Sequence, residues 1–458
     1  MAQDTTTQCW LFPEEFGKRL VVRFDDEQGS SDGGAVLLKI ADRRLGLSES
    51  LVACLEDDRD SSRIRHELEE LFAQRMFGIA CGYSDGNDAA RLAEDPVHKV
   101  LVGRDPVDGE ALASQPTLSR FENAVGRGEL LRLGEALART VIGRHRKRLR
   151  GKARRITVDL DPTADLAHGA QQLSLFNGYY RNNCYLPMLG FVSFNDESEQ
   201  YLFTAVLRPG NSPDKKGSVA ILKRVFALLR EAFPTARLRV RLDAGFAAPE
   251  VFNYLEEAGA EYVVGMAKNS VLKRRARRLM GRARRLSRES GETEHIYGEI
   301  RYAARRWPDK RRVIIKAEVV RHPDRKPKDN PRFVVTNLPQ TPRWIYEQVY
   351  CQRGDVENRI KELHYGLELD RTSCCRFLAN QFRVLLTAAA YVLMQEIRLK
   401  AARTSLARAQ VTRLRERLFK IGARVVVSVR RIVLHLPRSF AFLGDWNRIA
   451  LALGARSG

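Results

Sequence analysis

The sequence predicts an α/β chain of several domains, and three observations carry that prediction. The chain has 458 residues, too many for one hydrophobic core and enough for two to four. Apolar residues make up 44% and charged residues 29%, the balance of a soluble, folded chain. From residue 156 onward, short β-like runs alternate with amphipathic helical ones, the texture of helices packed on a mixed sheet.

Residues 1 to about 50 read as β-rich, with a strand at 20–24 and a Gly-Ser-Asp turn at 29–34. Residues 60 to about 145 read as helical, with Leu68, Leu71, Phe72, Met76 and Phe77 at helical spacing. Ser114 with Pro116 starts one of these helices, either an ordinary surface helix or the reader of a helix-turn-helix. Strands follow at 156–161, 188–194 and 201–207, then a helix at 219–233. A strand at 238–243, a helix at 249–258 and a strand at 261–266 complete the series. That order is the order of a ribonuclease-H-like core. A basic, helix-like run and strand candidates at 296–303, 312–320 and 332–336 interrupt it. Helices return at 345–364 and 380–399. The tail offers a basic helix at 404–420 and a strand at 424–436. The division expected is an N-terminal region of mixed β and helix at 1–145, the first part of the core at 150–270 and a basic, mainly β insertion at 271–342. The second part of the core follows at 343–400 and a basic C-terminal region at 401–458.

Lys plus Arg number 78 against 56 Asp plus Glu, a formal charge of +22. Such an excess repels itself unless a polyanion relieves it, and nucleic acid is the commonest polyanion for a soluble chain. The charge is clustered. Residues 144–155 carry eight basic side chains, residues 273–288 carry nine, and neither run holds an acid; from Arg398 onward fourteen face only Glu416 and Asp445. All three are candidate phosphate-neutralising stripes. The seven Cys are irregularly spaced with no C-x-x-C, which argues against a zinc module or a disulfide framework. His168 has no Cys or His partner nearby for zinc. The apolar run at 384–394 is too short to span a bilayer and reads as a buried helix. No P-loop or dinucleotide glycine motif occurs, so nucleotide hydrolysis is unsupported. The N-terminus lacks the pattern of a signal peptide, and a cytoplasmic location is expected.

Three acids suit metal-assisted phosphodiester chemistry, which uses two Mg²⁺ ions held by hard oxygen ligands. Asp161 and Asp243 each end an apolar strand, where α/β sheets bind ligands. Asp159 shares a strand face with Asp161, so either could ligate metal; Asp161 is nearer the strand end and Asp159 is second. Tyr350, Arg353 and Glu357 fall on one helix face, and Lys361 and His364 extend it. An Arg one turn before a Glu can orient it and meet a phosphate. Lys215 and Lys216, beside Asn211 and Ser212, form a basic loop that either touches a DNA backbone or is simply solvated.

The spacing Tyr350-x-x-Arg353-x-x-x-Glu357 resembles the Tyr–Arg–Glu signature of insertion-sequence transposases with an Asp–Asp–Glu triad. Longer stretches resemble the insertion-sequence-1380 family in particular. These are Gln74-Arg-Met-Phe-Gly-Ile-Ala-Cys-Gly-Tyr83, Phe176-Asn-Gly-Tyr-Tyr180 with Cys184-Tyr-Leu-Pro187, and Leu207-Arg-Pro-Gly-Asn-Ser212. Arg241-Leu-Asp-Ala-Gly-Phe246, Asn330-Pro-Arg-Phe-Val-Val-Thr336 and Glu357-Asn-Arg-Ile-Lys-Glu362 complete the set. The resemblance implies a ribonuclease-H-like fold split before the Glu, cleavage at transposon ends, and joining of the 3′-hydroxyl to target DNA. It implies two Mg²⁺, with Mn²⁺ as a substitute. It also implies terminal inverted repeats as partner and a homodimer on paired ends in the bacterial nucleoid. The N-terminal region would bind the DNA ends and the C-terminal region would contact DNA. The strand-end Asp-x-Thr of the relatives supports Asp161-Pro-Thr163 over Asp159. Trp307 matches an aromatic that stacks on a flipped base, its other reading being a packing Trp. Arg241 joins Tyr350, Arg353, Lys361, Lys215 and Lys216 among the expected DNA contacts. Where the signature carries a Lys seven residues after the Glu, this chain has His364, and Lys361, His364 or neither takes over the phosphate contact. A nuclease that cuts without joining and a non-catalytic repressor descendant are the competing readings.

Overall fold

The computed structural model describes residues 10–12, 20–167 and 169–456; Cys9 and His168 lie outside them. Its centre is a mixed sheet. Across it run Glu294–Tyr302, Arg311–Val320, Arg332–Thr336, Glu261–Met266, Arg237–Leu242, Arg155–Pro162, Met188–Phe194 and Tyr201–Val206, with Lys328–Asp329 paired to Arg311–Val320. Numbered along the chain from Arg155–Pro162, the five core strands lie in the order third, second, first, fourth, fifth. The first, fourth and fifth are parallel, and the second and third are antiparallel. Met188–Phe194 and Tyr201–Val206 are buried and mostly apolar, whereas Arg155–Pro162 and Arg237–Leu242 alternate apolar residues with Thr157, Asp159, Arg239 and Arg241, which are buried as well. Helices Ser218–Ala232 and Pro249–Glu257 supply the crossovers.

The segment at 271–342 is not a separate β body. Its helix Ser270–Ser290 packs on Glu294–Tyr302 and Arg311–Val320, and Arg332–Thr336 pairs antiparallel with Glu261–Met266. The fifth core strand would otherwise expose a row of unpaired N–H and C=O groups. The segment therefore continues the core sheet.

The N-terminal helices form where expected, at Leu68–Cys81, Pro96–Val102, Gln115–Ala124 and Arg127–Leu149. Three readings change. Residues 36–52 are helical, at Val36–Leu45 and Leu47–Val52, because Leu37, Leu38 and Ala41 share one buried face and Gly46 caps it at φ 63°. The tail at 404–420 holds only Val411–Leu414 and a π turn at Arg415–Phe419. The strand expected at 424–436 is a hairpin, Ala423–Ser428 with Arg431–His435, turned at Val429 and Arg430 without Gly or Asn to mark it. The hairpin also pairs with Gly29–Ser30, so the two ends of the described chain are joined.

Helix Phe377–Lys400 lies between the sheet and the N-terminal helices. It is long and apolar enough to cross a membrane, but here it is buried within the molecule. It also closes the sheet. Gln381 Oε1 accepts from Leu207 N at 2.6 Å and its Nε2 donates to Ala205 O at 3.1 Å. Gln395 does the same with Leu202 N and Gln200 O, at 3.0 and 2.7 Å. Two side chains thus satisfy the open edge of Tyr201–Val206.

Candidate active site

Asp161 sits at the end of the first core strand and Asp243 just past the end of the fourth, its neighbour in the sheet. Asp243 accepts from Gly245 N at 2.8 Å, which fixes the turn after the strand. Arg353 bridges the two acids. Its Nη2 lies 3.0 Å from Asp161 Oδ1 and 3.6 Å from Asp243 Oδ2. Its Nε is buried and has no hydrogen-bond partner among the described residues. Burial, opposed by Arg353 and reinforced by Asp243, pushes the Asp161 carboxyl up to about 7. A buried carboxyl beside a charged partner at a strand-end rim makes Asp161 a candidate functional residue.

Asp159 is not at the rim. It is fully buried and gripped by Arg241, whose Nε and Nη2 donate to its two oxygens at 2.8 and 2.7 Å. Gln200 adds a third bond. Asp159 is thus a structural acid, and Arg241, 4% exposed, faces the protein rather than DNA. Trp307 likewise is buried. Its ring meets Phe252 edge-on at 4.9 Å and Arg311 at 5.5 Å, which is the packing role. Lys215 is exposed and pairs with Glu250 at 2.7 Å, and Lys216 is exposed beside it. Arg208 holds that loop by donating to the carbonyls of Pro213, Asp214 and Lys216.

Tyr350, Arg353 and Glu357 lie on one helical stretch at 342–366 that is irregular three times, with a 3-10 turn at Cys351–Arg353 as well as two π turns. π turns at Ile345–Tyr350 and Glu362–Gly366 flank the regular segment Gly354–Lys361. Such turns shift the face a helix presents and occur often at functional sites. Tyr350 reaches the Asp243 turn, where burial, with Asp243 against Arg353, raises its phenol. Glu357 is 69% exposed and bonds Lys361 at 3.0 Å. The carboxylates of Asp161, Asp243 and Glu357 do not all lie within 4.8 Å of one another. His364 takes another route to the site: its Nε2 is 2.9 Å from Thr163 Oγ1, two residues past Asp161, and its Nδ1 is 3.6 Å from Asp370. It ties the glutamate helix to the strand end.

Sequence reasoning missed the anchor of that helix. Glu362 is buried, accepting from Tyr391 and Arg398, each at 2.6 Å. Glu199 pairs with both Arg398 and Arg359, at 2.9 and 3.1 Å. Asp214 was also missed among its basic neighbours; a Cβ on Gly245 would fall 1.8 Å from its carboxylate, so it stands on the Asp243 rim. Neither Glu362 nor Asp214 has a local signal, because Glu362 acts on residues 29 and 36 positions away and Asp214 acts through a loop.

Asp32, Cys81 and His98 do group within 4.8 Å, all buried. Asp32 there already pairs with His98 at 2.9 Å and with Lys420 at 2.8 Å, and burial raises the Cys81 thiol. An ammonium in place and a thiol held neutral describe a buried polar network rather than a metal centre.

The family model described as transposase DDE domain group 1 matches residues 12–451. The chain belongs to that DDE transposase family. No curated protein matches it. Among solved structures it is similar to a cryo-EM structure of the piggyBac transposase synaptic complex with hairpin DNA. The two share 10% identity at a TM-score of 0.41, over 80% of this chain and 76% of that one. For this DDE transposase, the family match spans the whole of the sheet, the acids at its rim and the helix that carries Glu357.

Proposed function

We propose that this chain cuts DNA at transposon ends and transfers the freed 3′-hydroxyl to target DNA, with Asp161, Asp243 and Glu357 as the reacting trio. The observation that carries the proposal is the sharing of Arg353 by Asp161 and Asp243, with Glu357 one helical turn further on, in a chain of the DDE transposase family. The core strand order supports a ribonuclease-H-like assignment, and the six sequence stretches support the insertion-sequence-1380 group.

The donors suit a hard divalent cation, since the rim offers carboxylate oxygens without sulfur or imidazole among them. Asp161, Asp243 and Glu357 would hold Mg²⁺ or Mn²⁺, two ions in all, which supply charge for the attacking and leaving oxygens. Arg353 holds the two acids together. Its unpartnered Nε and its fork suit a phosphate once the acids are otherwise neutralised. Glu357 reaches the rim by giving up Lys361, an exposed pair that holds it weakly. Tyr350, kept protonated, donates to the same phosphate. His364 positions the strand end, so the phosphate contact expected seven residues after the Glu passes to Lys361. A homodimer on paired terminal inverted repeats, in a bacterial nucleoid, follows from the same reading.

The test is an in-vitro reaction with a terminal-repeat duplex, a supercoiled target and Mg²⁺. Joined products from the wild type are expected. Cleaved ends without joining would leave a nuclease, and binding without cleavage would leave a repressor; either result overturns the proposal.

A further inference from the structure

Three basic runs stand out in the sequence, and their side chains have different fates. In residues 144–155, Arg144 pairs with Glu396, Arg148 with Glu197, and Arg154 and Arg155 with Asp196. In the C-terminal run, Arg398, Lys400 and Lys420 pair with Glu362, Glu396 and Asp32. Arg415 donates to the carbonyls of Ala80 and Gly366. Arg146, Lys147, Arg150 and Lys152 of the first run and Arg413, Arg424, Arg430 and Arg431 of the last are exposed as well, but the helix Ser270–Ser290 gathers its basic residues on one element. All nine of its Lys and Arg residues are exposed. Only Arg284, to Asp329, has an acidic partner among the described residues, and Arg275 donates to a carbonyl.

The helix is also built around one position. Leu272, Ala276, Met280, Ala283 and Ser287 form the buried face. Gly281 lies on the opposite side, exposed, with nothing within 4 Å of a Cβ built on it. Its neighbours on the helix surface, three, four and seven residues away, are Arg274, Arg277, Arg278, Arg284, Arg285 and Arg288. A glycine in mid-helix weakens the helix, and like charges at these spacings weaken it further. No contact among the described residues requires the glycine. Six guanidiniums around a gap without a side chain form a shallow cationic seat, in which an anionic backbone can approach the helix itself.

We propose that this face seats the sugar–phosphate backbone of duplex DNA, without reading sequence, outside the reacting centre. The proposal rests on the transposase reading for its choice of DNA as the polyanion. The helix has 21 residues and so extends about 31 Å, roughly nine base pairs of duplex. Guanidiniums directed at phosphates position a duplex and carry no sequence information. A membrane surface does not suit the face, because the apolar side of the helix is already packed beneath the sheet.

The experiment measures binding of the full chain to a 30-base-pair random duplex across a salt series. The triple variant Arg274→Gln/Arg278→Gln/Arg285→Gln is expected to reduce the slope of log affinity against log salt by about 2.7, at about 0.9 per phosphate released. Its melting temperature should hold or rise, since like charges have been removed, so a loss of affinity is not unfolding. Gly281→Ala should melt higher, and Gly281→Glu should bind more weakly. An unchanged slope in the triple variant overturns the proposal, and a change seen with single-stranded RNA but not duplex DNA overturns the assigned occupant. If wild type neither cuts nor joins DNA and the triple variant still loses slope, the face stands and the catalytic reading falls. If wild type cuts and joins with an unaltered slope in the triple variant, the reverse holds.

Discussion

Gly265 leaves room for the hydroxyl of Tyr350: a Cβ built on this strand residue falls 2.6 Å from the Tyr350 oxygen and 3.0 Å from Ala244 N. The fifth core strand thus sets how closely Tyr350 approaches the Asp243 turn. Gly265→Ala should displace Tyr350 and reduce DNA cleavage by at least about tenfold, at an overpacking cost of about 1–3 kcal/mol. Adding Tyr350→Phe removes the clashing oxygen, so the double variant should be more stable than the two single effects sum to. Thermal melts of the four proteins measure this coupling. Additive melts would mean that the two residues do not interact.

Arg353 bridges Asp161 and Asp243. Arg353→Ala should therefore lower the melting temperature of the metal-free protein and enlarge the gain on adding Mn²⁺, while cleavage falls by about 10². Protons compete at the same place. The Asp161 carboxyl is raised to about 7, so the folded chain holds a proton there that the unfolded chain has lost. Mn²⁺ affinity should then rise with pH up to about 7 and level off above it. Calorimetric titration at pH 5.5, 6.5, 7.5 and 8.5 reads this directly.

Much of this was legible in the sequence, and the exceptions share a cause. The core strands and helices announced themselves by period and by turn residues, and Asp161 and Asp243 by their places at strand ends. Asp159 and Asp161 could not be separated by alternation, because the pleat places both on one face. What separates them is Arg241, brought alongside by the neighbouring strand. Trp307 and Arg241 were legible as residue types suited to DNA, but burial by Phe252, Arg311 and Asp159 was not local information. The basic runs looked alike until their acidic partners, many 50 to 250 positions away, were in place.

Asp165 is fully buried, with Thr372 donating to one oxygen at 2.8 Å and the other without a partner. Burial, opposed by Thr372, pushes its carboxyl up to about 8. The folded state therefore holds a proton that the unfolded state releases near its ordinary value of 3.8. Stability contributed by this group is present below about pH 4 and is lost as pH rises towards 8, by up to about 1.4 kcal/mol per unit. Asp165→Asn should remove that slope and stabilise the protein at pH 8. Urea melts at pH 5.5 and 8 compare the two chains, and equal slopes would contradict the assignment.

Glu362 anchors the helix that carries Glu357, through Tyr391 and Arg398 on the buried helix. Glu362→Gln leaves Arg398 with Glu199 as its acidic partner and should cost about 3 kcal/mol of stability. At a temperature where the variant remains folded, cleavage should fall further than DNA affinity does, since the helix loses its register against the rim. Melting and binding curves on one preparation separate the two effects.

The central claim is that Asp161, Asp243 and Glu357 act together on a phosphodiester while Asp159 does not. Single-turnover cleavage of an end duplex with Mg²⁺ at pH 8 tests it most directly, comparing Asp161→Asn, Asp243→Asn and Glu357→Gln with wild type at saturating protein. Each variant should bind the duplex as wild type does and cleave at least about 10³-fold more slowly. Cleavage at the wild-type rate by any one of the three would contradict the assignment.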